Sequence, residues 1–156
     1  MDPTPSQTAG PFFGFALPFA DGPCAGPAGS VRIEGQLVDG AGEPVADGLL
    51  EAWYGDQFAR SGTDAEGVFH FLVDRPPPGP GGQAPHLEIT VFARGLLRHL
   101  ATRLYFPDEE AANAADPVLS AVDPDRRHTL IASAEGSVLR FDVHLQGDEE
   151  TVFFAI

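Results

Sequence analysis

A chain of 156 residues has the length of one domain, and at that size it can bury a core without disulfide staples. Twenty-three acids oppose nine cations, every one of them Arg, for a net charge of −14; with no basic stripe, nucleic acids and anionic membranes are excluded as partners. The single cysteine, Cys24, excludes an internal disulfide framework and fits a reducing compartment.

Residues 3–20 carry no charge, but Pro3, Pro5, Pro11, Pro18, Gly10 and Gly14 interrupt them, so they predict no spanning helix. Met1-Asp2-Pro3 offers no basic region for a signal peptide. The reading is a cytoplasmic protein with an extended N-terminal arm over residues 1–29, followed by one domain over residues 30–156. Phe12, Phe13, Phe15 and Phe19 disfavour leaving that arm in water, so it lies across this domain or a neighbour.

From Ser30 onward the dominant period is two. Val31, Ile33, Gly35 and Leu37 alternate with Arg32, Glu34 and Gln36, and the turn cluster Asp39-Gly40-Ala41-Gly42 follows. Leu49–Tyr54 is a second strand, and Phe69, Phe71 and Val73 mark a third behind Asp64-Ala65-Glu66-Gly67. After a Pro/Gly loop at 76–82, Leu87, Ile89, Val91 and Ala93 face one way while His86, Glu88 and Thr90 face the other. Strands are also expected over 99–106, 138–145 and 151–156. Helical signal is confined to residues 108–115 and to Asp123-Pro124-Asp125 through Ala132, a capped start with Pro at its first position. Many short strands with little helix predict an all-β fold, an antiparallel β-sandwich with an N-terminal arm and one or two short helices.

Several chemistries are excluded by pattern. Gly79-Pro80-Gly81-Gly82 lacks the Lys-Ser/Thr of a phosphate loop, no Ser lies in a nucleophile elbow, and Cys24 has no basic neighbour to activate it. His70, His99, His128 and His144 are scattered and read as strand or helix residues rather than ligands. Two features stay open. His86 and Glu88, two apart on one strand, share a face and either begin a metal site or decorate a polar sheet face. Arg94, at a strand end beside Gly95, either presents its guanidinium fork to a carboxylate ligand or makes a surface ion pair. Trp53-Tyr54 reads as packing or as a stacking platform.

Thr4-Pro5-Ser6-Gln7-Thr8-Ala9-Gly10-Pro11 resembles the N-terminal arm of the intradiol ring-cleavage dioxygenases. Ala84-Pro85-His86 through Phe92-Ala93-Arg94-Gly95, then Thr102-Arg103-Leu104-Tyr105-Phe106, Arg140-Phe141-Asp142, Gln146-Gly147 and Glu150-Thr151-Val152-Phe153-Phe154, resembles the alpha chain of the two-chain members. The likeness spans nearly the whole chain, in order. It implies an enzyme in which Fe(III), held by two tyrosinates and two histidines of an iron-bearing beta subunit, binds a small aromatic catechol and lets O2 cut the bond between its two hydroxylated carbons. The His-x-His of that beta chain reads His86-Leu87-Glu88 here: His86 matches one ligand position and Glu88 replaces the second. Phe58 is the nearest aromatic after Trp53, and Pro76-Pro77-Pro78 contains no Tyr, so one of four ligands survives.

The resemblance therefore implies a non-iron alpha subunit with no cofactor and no catalytic residue of its own, assembled with the beta subunit and acting on 3,4-dihydroxybenzoate. By residue match, Thr8, Ala9, Gly10 and Pro11 form part of the wall of the partner's pocket, and Arg94 is the arginine directed toward it. Phe12 joins that wall but stands where a tyrosine is familiar in the family, and the region after Trp53 is shorter. The rival reading is a stand-alone β-sandwich carrier; a self-sufficient metalloenzyme built on His86 and Glu88 ranks last.

Overall fold

The computed structural model describes residues 13–25 and 31–155. Its strands are β1 (Val31–Val38), β2 (Leu49–Tyr54), β3 (Gln57–Gly62), β4 (Val68–Val73), β5 (His86–Phe92), β6 (Leu100–Tyr105), β7 (Ser133–Glu135), β8 (Val138–Arg140) and β9 (Val143–His144). The short helices are α1 (Phe13–Ala16), α2 (Glu110–Ala115) and α3 (Pro117–Ala121), with a 3-10 segment at Pro124–Leu130. One sheet runs β4-β1-β8-β7 with β9 also on β1, and the other runs β3-β2-β5-β6. The expected two-sheet sandwich is present.

In β1, β4 and β5 the inward residues follow the period-two pattern, whereas β2 is buried on both faces over its first four residues. Ile33, Leu37, Phe69, Phe71, Val73, Phe141 and Val143 from the first sheet meet Leu50, Ala52, Leu87, Ile89, Val91 and Leu104 from the second, all essentially buried. Fully burying side chains of this size contributes about 1.5–3 kcal/mol each. Gly35 is required by a close approach, because a Cβ there would stand 1.8 Å from the carbonyl oxygen of Phe141.

Several local details differ from the expectations, and two elements were not expected at all. β3 follows β2 through a two-residue hairpin at Gly55-Asp56, with Gly55 at φ +56° and Tyr54 opposite Gln57. Its inward residues, Ala59 and Ser61, are too small to advertise a strand. The expected strand over 138–145 is split in two, since the Asp142 carboxylate accepts from the backbone N–H of Gln36 at 2.8 Å in place of a ladder carbonyl. Both pieces run parallel to β1, while the other ladders among the described strands are antiparallel. Residues 151–155 form no ladder strand: Thr151 donates to His144 in one sheet and Phe154 to Ala101 in the other, so the segment bridges the sheets. The capped start at Asp123 begins a 3-10 segment rather than an α-helix, while α3, capped by Asp116 with Pro117 behind it, went unpredicted.

Residues 13–25 pack onto the sandwich. Arg60 N–H donates to the Gly22 carbonyl at 2.6 Å, Leu72 N–H to Pro23 at 2.8 Å and Ala25 N–H to Leu72 at 2.8 Å. Since β3 and β4 are the edge strands of the two sheets, this strap covers both edges on one side of the sandwich and pairs groups that would otherwise invite another strand.

Candidate functional site

Two places answer to the sequence-based candidates, both on the outward face of the β3-β2-β5-β6 sheet or at its end. The first is built from β5 and β6, whose register sets His86 opposite Tyr105 and Glu88 opposite Arg103. Period-two geometry then puts all four side chains on one face. His86 is buried, with Nδ1 2.8 Å from the Ala84 carbonyl. A carbonyl only accepts, so Nδ1 carries the proton and Nε2 is left facing Glu88 Oε1 at 3.3 Å. That contact is an ion pair only when the imidazole holds both protons. The Glu88 carboxylate is also gripped by Arg103 at 2.7 Å, and the same guanidinium donates to Gln83 at 2.9 Å and to the Tyr105 oxygen at 3.3 Å.

Behind this face stands Asp116, fully buried. It accepts from Ala84 N–H at 2.8 Å, Val118 N–H at 2.8 Å, Leu119 N–H at 2.7 Å and the Tyr105 hydroxyl at 3.2 Å. One carboxylate thus caps α3, fixes the strand that carries His86 and locks the phenol. Burial raises the Glu88 pKa, but the hydrogen bond that a doubly protonated His86 donates and the charge of Arg103 outweigh it and hold the carboxyl below its usual range. Burial pushes the Tyr105 hydroxyl up to about 12, with Arg103 working against the rise and Asp116 with it.

A ferric ion in the style implied by the family does not fit this donor set. Tyr105, whose ring lies 5.5 Å from that of His86 between centroids, already has its hydroxyl engaged, donating to Asp116 at 3.2 Å and accepting from Arg103 at 3.3 Å. Glu88 is already neutralised by a fixed guanidinium, and among the described residues no three of His, Cys, Asp and Glu cluster closely enough to hold a metal. So the structure does bring His86 and Glu88 together, and closes them with Arg103. Arg103, Tyr105 and Asp116 were missed as a unit by sequence reasoning; the opposite charges of Glu88 and Arg103 on successive strands were the available signal.

The second place is the far end of β5. The turn Ala93-Arg94-Gly95-Leu96 is closed by Leu96 N–H on the Ala93 carbonyl at 3.3 Å, with Gly95 at φ +89° as expected from its position. Arg94 leaves this turn with its side chain 71% exposed, and its Nε lies 2.6 Å from Asp47 Oδ2. The described part of the arm begins at this same corner: Phe13 is buried with its ring 6.2 Å from that of Phe92, and Gly14 lies against the Asp47 backbone. Thr8, Ala9, Gly10, Pro11 and Phe12 lie outside the described residues. Arg94 therefore sits apart from the His86 cluster and beside the base of the arm. Trp53 is partly exposed and tilts onto Phe58 at 4.3 Å, so this aromatic pair packs across β2 and β3.

Among the described residues no helix is long and apolar enough to cross a membrane. No family model matches the chain. It is 38% identical to the protocatechuate 3,4-dioxygenase alpha chain of Burkholderia cepacia, over 98% of this chain and 97% of that one. The beta chain of the same organism's enzyme is 27% identical over 78% of this chain and 66% of its own length. Among solved structures, the dioxygenase domain of a dioxygenase–carbohydrate-binding fusion from Streptomyces sp. SirexAA-E aligns with a TM-score of 0.64 at 25% identity, covering 94% of this chain and 99% of that domain. These matches support the subunit reading and not the stand-alone carrier. The chain belongs to the protocatechuate 3,4-dioxygenase alpha-chain family.

Proposed function

We propose that this chain is the non-iron alpha subunit of a hetero-oligomeric intradiol dioxygenase. Its partner is an iron-bearing beta subunit, its substrate is 3,4-dihydroxybenzoate, and O2 opens the ring to 3-carboxy-cis,cis-muconate with both oxygen atoms retained in the product. Fe(III) in the beta subunit supplies the activation of the catechol. This chain supplies packing, a section of pocket wall from Thr8, Ala9, Gly10, Pro11 and Phe12, and the Arg94 guanidinium. The observation that carries the reading is the closure of the His86 position by Glu88, Arg103 and the hydrogen-bonded Tyr105 hydroxyl, in a chain 38% identical to an alpha chain.

Arg94 suits its role electrostatically. The substrate brings one carboxylate and ring opening creates two more, so an exposed guanidinium near the arm attracts the first and stabilises the charge that develops. Its pairing with Asp47 is solvent-exposed, and such pairs are weak enough, about 0–1 kcal/mol, to be exchanged for a ligand. The test is co-expression with a beta chain that has an intact His-x-His and both tyrosines, followed by co-purification, an iron count and oxygen uptake with 3,4-dihydroxybenzoate. The expected result is a mixed complex whose iron stays with the beta chain. A chain that purifies alone with one tightly bound iron, or that never associates with a beta chain, overturns the reading.

A further inference from the structure

Between α3 and the last stretch of the chain lies an open groove of about 570 Å³, lined by no residue of the His86 cluster or of the Arg94 turn. Its walls are mostly apolar: Val118, Ala121 and Val122 come from α3 and its end, Val152 and Phe154 from the segment that bridges the sheets. These walls are fixed from behind. Asp116 caps α3 through Val118 N–H at 2.8 Å and Leu119 N–H at 2.7 Å. Val152 N–H donates to Thr129 Oγ1 at 3.2 Å, and its carbonyl accepts from the Thr102 hydroxyl at 2.7 Å. Phe154 N–H donates to Ala101 at 2.8 Å, and the Arg103 guanidinium sits 5.9 Å from its ring centroid. A groove already formed in this way spares a ligand the cost of ordering it.

The rim carries two charged side chains, Asp123 and Arg126. Asp123 is spent on its own turn, where its carboxylate accepts from Asp125 N–H at 3.1 Å. Arg126 is half-buried and pairs with no carboxylate among the described residues, although acids outnumber cations 23 to nine in this chain. Glu150 offers it only a main-chain carbonyl, which accepts from Nη2, and the neighbouring Glu149 faces His128 at 3.4 Å. Nε is buried with no acceptor, an orphaned donor that destabilises the side chain as it stands. Nη1 has no hydrogen-bond partner among the described residues. A strongly acidic chain thus leaves one of its few guanidinium groups without an anion, at the edge of an apolar groove. These are the two halves of one ligand: a flat apolar body against the valines and the Phe154 ring, and an anionic oxygen on Nη1, with Nε reached by a small turn of the guanidinium.

We infer that this groove is a binding site for a small aromatic carboxylate, its ring held by Val118, Val122, Val152 and Phe154 and its carboxylate by Arg126. The inference uses only residues of this chain and does not rest on the proposed function.

The experiment titrates the full chain with benzoate as the probe, read by equilibrium dialysis, with benzamide and acetate for comparison. Benzamide keeps the ring and loses the charge; acetate keeps the charge and loses the ring. The expected result is one saturable benzoate per chain, with benzamide and acetate each weaker by about ten-fold or more. Arg126→Gln keeps a donor for the Glu150 carbonyl but drops the charge, so it should weaken benzoate about ten-fold and leave benzamide unchanged. Ala121→Trp fills the groove from an exposed position and removes no buried group; it should abolish binding of both with the thermal melt preserved. The titration is then repeated on the co-expressed alpha–beta complex, where wild type should bind one benzoate more per alpha chain than Ala121→Trp. Absence of saturable binding, acetate bound as well as benzoate, or benzoate binding untouched by Arg126→Gln each overturns the inference. Binding to the chain alone that the complex loses also overturns it, by making the groove a subunit contact. If no complex forms, the proposed function fails and the titration of the chain alone still decides this site.

Discussion

The two ends of β5 carry the same kind of groups, a cation and a carboxylate, in opposite circumstances. At His86 the polar groups are engaged within the chain: Ala84, Glu88, Arg103, Tyr105 and Asp116 contact one another, and of these side chains only Glu88 is about half in solvent. At Arg94 one exposed contact to Asp47 is all that holds the guanidinium among the described residues. A closed polar network in low dielectric rigidifies the fold and has nothing left to offer a ligand. A guanidinium with most of its donors in water can be recruited. The place whose local sequence reads most like a catalytic site is thus closed on itself, while the turn directly after Phe92, at the end of β5, leaves the Arg94 guanidinium mostly in water, as the proposed function needs.

The comparison breaks most visibly at Asp116. Asp116→Ala strips acceptors from three backbone N–H groups and a phenol at once, and at roughly 1–3 kcal/mol per orphaned buried donor the loss should reach about 4 kcal/mol even with partial relaxation. A urea melt of the purified protein reads it. A loss below about 1 kcal/mol would show that water replaces the carboxylate and that the cluster is not a closed unit. Arg103→Ala removes the cation that neutralises Glu88. Because Glu88 is about half exposed, the expected cost is only about 2 kcal/mol. Iron content per alpha chain should stay at zero, and metal uptake by this variant would mean that Arg103 alone had been excluding it.

At the open end the readout moves from stability to kinetics. Arg94→Ala in the alpha–beta complex should lower kcat/KM about ten-fold, equivalent to about 1.4 kcal/mol, with assembly intact. Arg94→Lys should recover part of it, since it keeps the charge and loses the fork. Loosened complexes with normal turnover would instead make Arg94 a subunit-boundary residue.

Titration gives a finer contrast. The Glu88 carboxyl is held below its ordinary value of 4.5, so its stabilisation is complete above that value and is lost as pH falls through the depressed pKa. Glu88→Gln should flatten that part of an acid melt. The Tyr105 hydroxyl is raised to about 12, so its contribution is complete below 10 and is lost as pH rises toward 12; its phenolate absorbance should appear only there. The smallest effect is expected for Asp47→Asn, which should change stability by no more than about 0.5 kcal/mol because the pair it removes is exposed. A larger loss in the same urea melt would show that Arg94 is tied down after all.

What could be read without coordinates was whatever is local and periodic. Alternation over Val31–Val38 and His86–Phe92 determined the strands, their inward faces and the placing of His86 and Glu88 side by side, because side-chain direction in a strand has a period of two residues. Gly95 after Arg94 marked a turn, and the missing second imidazole at Glu88 was visible in three letters. β3 escaped because Ala59 and Ser61 give alternation no contrast, and α3 because five residues are too few for a helical period.

The remainder depends on register and on contacts distant in sequence. Only the pairing of β5 with β6 sets Glu88 against Arg103, and only the packing of α3 brings Asp116 to Ala84, 32 residues away. Only the return of the strap across β3 gives Arg60 the Leu17 carbonyl, 43 residues away. Composition and periodicity state which face a residue occupies but not which residue faces it, since that is decided by chain closure over long loops and by the burial that selects one register over its neighbours. By itself the sequence determined a two-sheet sandwich with an arm and a broken ligand pattern; the tertiary structure decided that the broken pattern is sealed by a guanidinium, and that the arm is anchored by another.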